Sequence, residues 1–137
     1  MIATGERRLK YLRFWLAGGW LLVLVAIAMS VLPGLPTFTV QYTDKVFHAT
    51  SYFVLMAWFT GIYLPARYWL IALALALLGI GLEFGQTLFP YRFFDIWDIA
   101  ANITGVAIAW LLALSGMSNW CQLIEQRMYG PGDDADF

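Results

Sequence analysis

Nine residues of this chain have the types and spacing to do chemistry in an otherwise apolar setting: Asp44, Lys45, His48, Glu83, Gln86, Arg92, Asp95, Asp98 and Asn102. Asp44, His48 and Ser51 recur at four and three residues, as do Gly79, Glu83 and Gln86, while Asp95, Asp98, Asn102, Gly105 and Ala109 repeat as three, four, three and four. On helices, each set forms one stripe. A histidine beside carboxylates suits proton transfer, because imidazole titrates near neutrality, or the binding of a hard cation. Arg92 and Lys45 suit an anionic head group, Arg through paired hydrogen bonds and Lys as a point charge, unless the neighbouring acids neutralise them. With Glu83 or Asp98 as acid or base and Arg92 on the anion, the same residues describe an enzyme acting on a lipid-linked phosphate or sugar.

Other chemistries are excluded or unsupported. The lone Cys121 rules out an intrachain disulfide and a cysteine-built metal site, and no paired-histidine spacing is present, so neither a metal nor another cofactor is expected. Nucleophile signatures and phosphate-binding Gly-rich loops are missing, so the residues specify no enzyme class. Alongside ligand binding and catalysis stands a structural role, in which Asp98 and Asn102 bond across helices to hold a bundle together.

The elements that position these residues follow from composition. Of 137 residues, 61% are hydrophobic and only 12% charged, which is far from a globular mix and makes lipid the main solvent. Four apolar runs stand out, at about 14–32, 46–64, 68–89 and 96–114. Each holds about 20 residues, roughly 30 Å of helix and thus the hydrocarbon thickness of a bilayer. Pro33-Gly34-Leu35-Pro36, Pro65 and Pro90 stop the first three. The first run is too long for the apolar stretch of a signal peptide. The expected fold is all-α, a four-transmembrane-helix bundle over 1–114, with the fourth span the least apolar because of Asp98 and Asn102. Residues 115–137 read as a cytoplasmic tail, disordered at its acidic end (Asp133, Asp134 and Asp136).

Lys and Arg set the orientation. Arg7, Arg8, Lys10, Arg13, Arg67 and Arg127 fall on one side of a four-span chain, and Lys45 and Arg92 on the other. By the positive-inside rule both termini are cytoplasmic and the loops Pro33 to Lys45 and Pro90 to Asp95 face outward. The basic N-terminal stretch is explained as an orientation signal beside a span, so no nucleic-acid partner is expected. Trp15, Trp20, Trp69, Trp97 and Trp110 lie near span ends, where interfacial indoles gather.

On this topology the nine polar residues converge on the outer leaflet. A central Asp or Arg costs about 2.5 to 3.5 kcal/mol on insertion scales, less near the interface. Glu83 lies roughly 9 Å below Phe89. At that depth it must face a wet cavity, take a cation from Arg92, Lys45 or His48, or be protonated. Below Asp98 and Asn102 the fourth stripe continues in Gly105 and Ala109, so its polar face also packs closely and points inward; Gly81 and Gly85 offer the third span a second small-residue face for helix contact.

With these residues in place the chain resembles the VanZ-like family, small bacterial membrane proteins named for a component linked to tolerance of the glycopeptide antibiotic teicoplanin. Two stretches carry the likeness: Asp44-Lys45 followed by His48 and Tyr52, and the spaced set Glu83, Gln86, Arg92, Asp95, Asp98, Asn102 and Gly105. Together they cover Asp44 to roughly Leu114. The resemblance implies a multi-pass protein of the bacterial cytoplasmic membrane with a cell-envelope role. Its expected partners are membrane lipids and a cell-wall precursor, glycopeptide-like amphiphile or other lipid-linked ligand, met at an outward pocket around His48, Glu83, Arg92, Asp95 and Asp98. It supplies no chemical mechanism.

Overall fold

A computed structural model describes residues 5–32, 43–91 and 93–130. Arg92, most of the loop from Pro33 to Lys45 and the acidic end at Asp133 to Asp136 lie outside the described residues. The fold is all-α, with five helices: α1 (Leu12–Val31), α2 (Thr43–Ile62), α3 (Tyr68–Gln86), α4 (Ile96–Leu114) and α5 (Trp120–Tyr129). Pro65 opens a single 3₁₀ turn, Pro65–Arg67, that reverses the chain between α2 and α3. Gly116, at φ 103°, provides the left-handed step between α4 and the turn into α5. At the start of α4, the Asp95 side chain accepts from the Trp97 N–H at 2.8 Å, an N-cap that satisfies one of the orphan donors.

Among the described residues three stretches are long and apolar enough to cross a membrane: Leu12–Val31, Pro65–Gln86 and Ile96–Leu114. The fourth sequence run, expected to be the least apolar, qualifies, and the second does not. Thr43, Asp44, Lys45, His48, Thr50 and Ser51 crowd the first half of α2, more polar groups than Asp98 and Asn102 bring to α4. The protein tolerates them because α2 is the central helix, packed most extensively on α4 and also against α1, α3 and α5. Tyr52, Leu55, Met56, Phe59 and Ile62 form its buried side. The outer helices instead expose large apolar side chains such as Phe14, Leu24, Leu77 and Leu111, the surface that lipid solvates and water does not.

Small residues set the closest approach. A Cβ on Gly105 would lie 2.0 Å from the Ala49 carbonyl oxygen, so α2 and α4 touch backbone to backbone there. The stripe Asp98, Asn102, Gly105 and Ala109 is buried, as its spacing predicts. Gly81 and Gly85 correct an expectation: among the described residues nothing lies within 4 Å of a Cβ built on either, so neither mediates a contact between the described helices. Their face of α3 turns away from α2 and α4, and a small-residue pair does not by itself create a partner.

At the end of the bundle near the termini, the basic N-terminal stretch packs into the fold. Arg7 N–H donates to the Ile62 carbonyl and Leu64 N–H to the Gly5 carbonyl, both at 2.8 Å. The Arg7 guanidinium donates to the Tyr63 carbonyl, Asn119 Oδ1, the Tyr68 hydroxyl and Ser118 Oγ at 3.2, 2.7, 3.0 and 2.8 Å. Past Leu114, where a tail was expected, α5 docks back on the bundle. Its Glu125 accepts from the backbone N–H groups of Lys10 and Tyr11 and from Trp15 Nε1 at 2.8, 3.0 and 2.8 Å. An acidic side chain from another helix thus serves the start of α1, which has no side-chain cap of its own. Trp15, Trp58 and Trp120 pack ring against ring beside it, with centroids 5.2 to 5.7 Å apart.

Cys121 sits fully buried beneath this lock, and burial pushes its thiol up to about 12. The expected result is that alkylation at pH 7 is negligible in the folded protein and complete in denaturing detergent, read as a mass shift; ready labelling of the folded protein would show that α5 does not stay docked.

Candidate functional site

The polar residues that the sequence distributes over three segments meet at the opposite end of the bundle, where α2 begins, α3 ends and α4 begins. Lys45 is at the centre. Its ammonium donates to Asp95 Oδ2 and Asp98 Oδ1 and lies 3.9 Å from Asp44 Oδ2. His48, one turn further along α2, places Nδ1 3.1 Å from Asn102 Oδ1 and Nε2 3.5 Å from Asp98 Oδ2 and 3.9 Å from Asp44 Oδ1. The amide oxygen can only accept, so with Asn102 in this orientation it is the Nδ1–H tautomer that pairs with it. Nε2 therefore turns toward two carboxylates, an arrangement that a proton or cation at Nε2 makes attractive.

Glu83 is 1% exposed. It enters the site through the backbone: Oε1 accepts from the Asp95 N–H at 2.6 Å, tying the end of α3 to the cap of α4. Its partner among the described residues is this amide, and the pairing with Arg92 falls on a residue outside them. One turn deeper, a Cβ on Gly79 would lie 2.9 Å from Asn102 Nδ2 and 3.2 Å from the Tyr52 hydroxyl, so only glycine lets α3 approach both. The Tyr52 hydroxyl is buried with no hydrogen-bond partner among the described residues, and Glu83 acts on it electrostatically.

Asp44, Lys45, His48, Glu83, Asp95, Asp98 and Asn102 thus share one site. Gln86 does not join it: its amide donates to the Ser30 carbonyl and Ser30 Oγ at 3.1 and 2.6 Å, fastening α3 to α1 instead. Ser51, on the stripe of Asp44 and His48, is exposed. Tyr52, which the sequence marks only through the family likeness, lies four residues after His48 and so on the same stripe. For Arg7 and Glu125 no local signal exists, since their partners come from segments far away in sequence.

Chemically the site is rich in anions. Four carboxylates face one ammonium and one imidazole among the described residues. Asp44, His48 and Asp98 bring ligand atoms within 4.8 Å of one another, a spacing that could hold a metal ion. The Lys45 ammonium already sits on the Asp98 carboxylate and competes with any such ion. Lys45 is also unavailable to grip an anionic head group, since two aspartates hold it.

The Asp95 carboxyl, outside the spans, is held below the usual carboxylate range, first by the hydrogen bond from Lys45 and then, against the cost of burial, by the Trp97 N–H. A depressed folded value means the stabilisation is complete above the unfolded value of about 3.9 and is lost as pH falls through the lower folded value. The Lys45–Asp95 link should therefore be unchanged between pH 7 and about pH 5. A carboxyl NMR titration should place the Asp95 midpoint below about 3.9, and Lys45→Gln should move it upward. An unmoved midpoint would show that the ammonium does not act on Asp95.

No solved structure matches the chain. It is 30% identical over 113 residues to a fission yeast protein, the uncharacterized protein C11E3.10 of Schizosaccharomyces pombe, over 80% of this chain and 68% of that one. The VanZ/LLP1 family model matches residues 14–117, a stretch that runs from α1 into the turn after α4 and includes every residue of the polar site. This multi-pass membrane protein belongs to the VanZ/LLP1 family.

Proposed function

We propose that the polar end of the bundle is a recognition site for the cationic, amine-bearing head of an amphiphile, with α2 as a fourth crossing, both termini in the cytoplasm of a bacterial cell and the site opening outward. The observation that carries this reading is the surplus of carboxylates around Lys45 among the described residues, the charge of Lys45 itself being already taken by Asp95 and Asp98. An added positive group gains from Asp44, an exposed carboxylate that Lys45 and His48 approach only to 3.9 Å. The distribution of Lys and Arg supports the orientation. A cell-wall precursor and a glycopeptide-like antibiotic are the candidate amphiphiles of the cell envelope. Since a relative occurs in fission yeast, the reading is framed by the chemistry of the head group and not by one wall compound. Catalysis on a lipid-linked phosphate would assign the anion to Arg92, which lies outside the described residues, because Lys45 is committed to Asp95 and Asp98.

The test is binding of an amine-bearing wall precursor and of a glycopeptide to purified protein, with the N-acetylated forms as controls. Asp44→Asn removes a half-exposed charge that holds no helix together and should weaken binding of the amine forms about tenfold, the effect of roughly 1.4 kcal/mol. Asp98→Asn should abolish binding, and with it any tolerance conferred by expression, at unchanged membrane levels. Equal binding of acetylated and free amines, or full binding by Asp44→Asn and Asp98→Asn alike, leaves the cluster as interhelical glue. A reporter fused to the C-terminus and active only outside the cell would overturn the orientation.

A further inference from the structure

A second site lies at the other end of the molecule, independent of the reading given to the polar cluster. Between α1, α2 and α3 runs a groove of about 570 Å³, within the range of about 300 to 1,000 Å³ usual for small-ligand sites. Its walls are Trp20 and Val23 of α1, Phe59 of α2, and one face of α3 from Leu70 to Leu78. At its mouth stand Glu6, Tyr63 and Arg67.

Three features fix the chemistry of the occupant. From Arg67 to Leu78 the groove follows α3 for roughly 16 Å at 1.5 Å per residue, about half the 30 Å hydrocarbon thickness and so the depth of one leaflet. The walls are apolar throughout that depth, and the charges occur only at the shallow end, where head groups lie. Among the described residues, Glu6 and Arg67 form no ion pair with each other or with any other group, although both act electrostatically on the Tyr63 hydroxyl. Opposite charges that border one mouth without neutralising each other match a head that carries both signs.

We infer that the groove between α1, α2 and α3 binds one zwitterionic phospholipid of the leaflet at the end near the termini, an acyl chain lying along Leu70–Leu78, its phosphate at Arg67 and its primary ammonium at Glu6. Arg pairs with phosphate through two parallel hydrogen bonds, and a carboxylate takes the ammonium as a charge-assisted partner. A quaternary ammonium of the same charge has no N–H to donate and is the weaker ligand.

The test is native mass spectrometry of the full chain released from vesicles containing equal parts of ethanolamine, choline and glycerol phospholipids. The wild-type protein should retain one ethanolamine phospholipid, at least fivefold over the other two. Arg67→Gln should lower retention of every phospholipid about tenfold. Glu6→Gln should remove the preference among head groups without loss of retention, and Glu6→Arg should turn it toward the glycerol lipid. Ala74→Phe fills the groove midway and should abolish retention, with shielding of Cys121 from alkylation as the sign that the fold persists. Should Ala74→Phe fail to fold, Leu78→Trp at the deep end supplies the same comparison. Equal retention of the three lipids by wild-type protein would overturn the inference. So would retention indifferent to Arg67→Gln and to groove filling, or a lipid-free dimer, which would make a second copy the occupant.

Discussion

Gly105→Ala is expected to reduce the folded fraction more than any other single-methyl change in this protein. The added Cβ would sit 2.0 Å from the Ala49 carbonyl oxygen, 2.9 Å from its carbon and 3.0 Å from the Phe53 nitrogen. All three atoms are backbone, so no side chain can rotate aside and α2 and α4 must separate. Overpacking of this kind costs about 1 to 3 kcal/mol, and occasionally more where the neighbour cannot yield. Separation also disturbs the polar site, because α2 carries Lys45 and His48 and α4 carries Asp98 and Asn102. Gly81→Ala and Gly85→Ala are the internal comparison. Each adds a methyl into open space and replaces glycine in a helix by alanine, a gain of up to about 1 kcal/mol. Membrane level and the fraction of Cys121 shielded from alkylation should fall sharply for Gly105→Ala and hold or rise for the other two. Equal behaviour of all three would mean that the α2–α4 approach is looser than described.

Arg7→Ala is expected to release the end of the bundle near the termini. Four acceptors lose one donor group at once, and two of the residues concerned, Tyr68 and Ser118, are buried. Hydrogen bonds to a charged group contribute about 1.5 to 3 kcal/mol, and a shared donor makes them far from additive, so a total loss of about 2 to 4 kcal/mol is anticipated. Arg7→Lys should recover little, since a point charge cannot reach acceptors arranged around a planar fork. The readout is again Cys121, whose alkylation should accelerate in Arg7→Ala and not in Arg8→Ala, where the side chain is exposed. If α5 stays docked in Arg7→Ala, the Trp15–Trp58–Trp120 cluster and Glu125 hold it without help.

Both expectations concern residues whose roles differ in how far they can be read from sequence. Gly105 was visible because it lies on the stripe of Asp98 and Asn102, and helical periodicity carries a buried face along one segment without reference to any other. Arg7 was visible only as a charge. Its partners sit on Tyr63, Tyr68, Ser118 and Asn119, and no periodicity within residues 5–13 encodes them. The same distinction separates Gly105 from Gly81 and Gly85: spacing marks all three as small, but whether a helix lies opposite is a property of the bundle. It also separates Gln86 from Glu83. Three residues apart on one helix, they share a broad face, yet one reaches Ser30 of α1 and the other the cap of α4.

Sequence alone determined that lipid is the solvent, that helices are the elements and that polar residues from three segments fall toward one end, because apolar length and 3.6-residue periodicity are local properties of a chain that must satisfy its own backbone in a membrane. The tertiary structure decided which helix is central, and so why α2 can carry more polar residues than any outer span: shelter depends on neighbours, not on composition. It decided that Lys45 is bound by Asp95 and Asp98 and is not free for an anion, since which acid meets which base is set by the rotation and depth of three helices far apart in sequence. It decided as well that residues beyond Leu114 are part of the fold, because the donors that Glu125 satisfies and the rings that enclose Trp120 belong to α1 and α2.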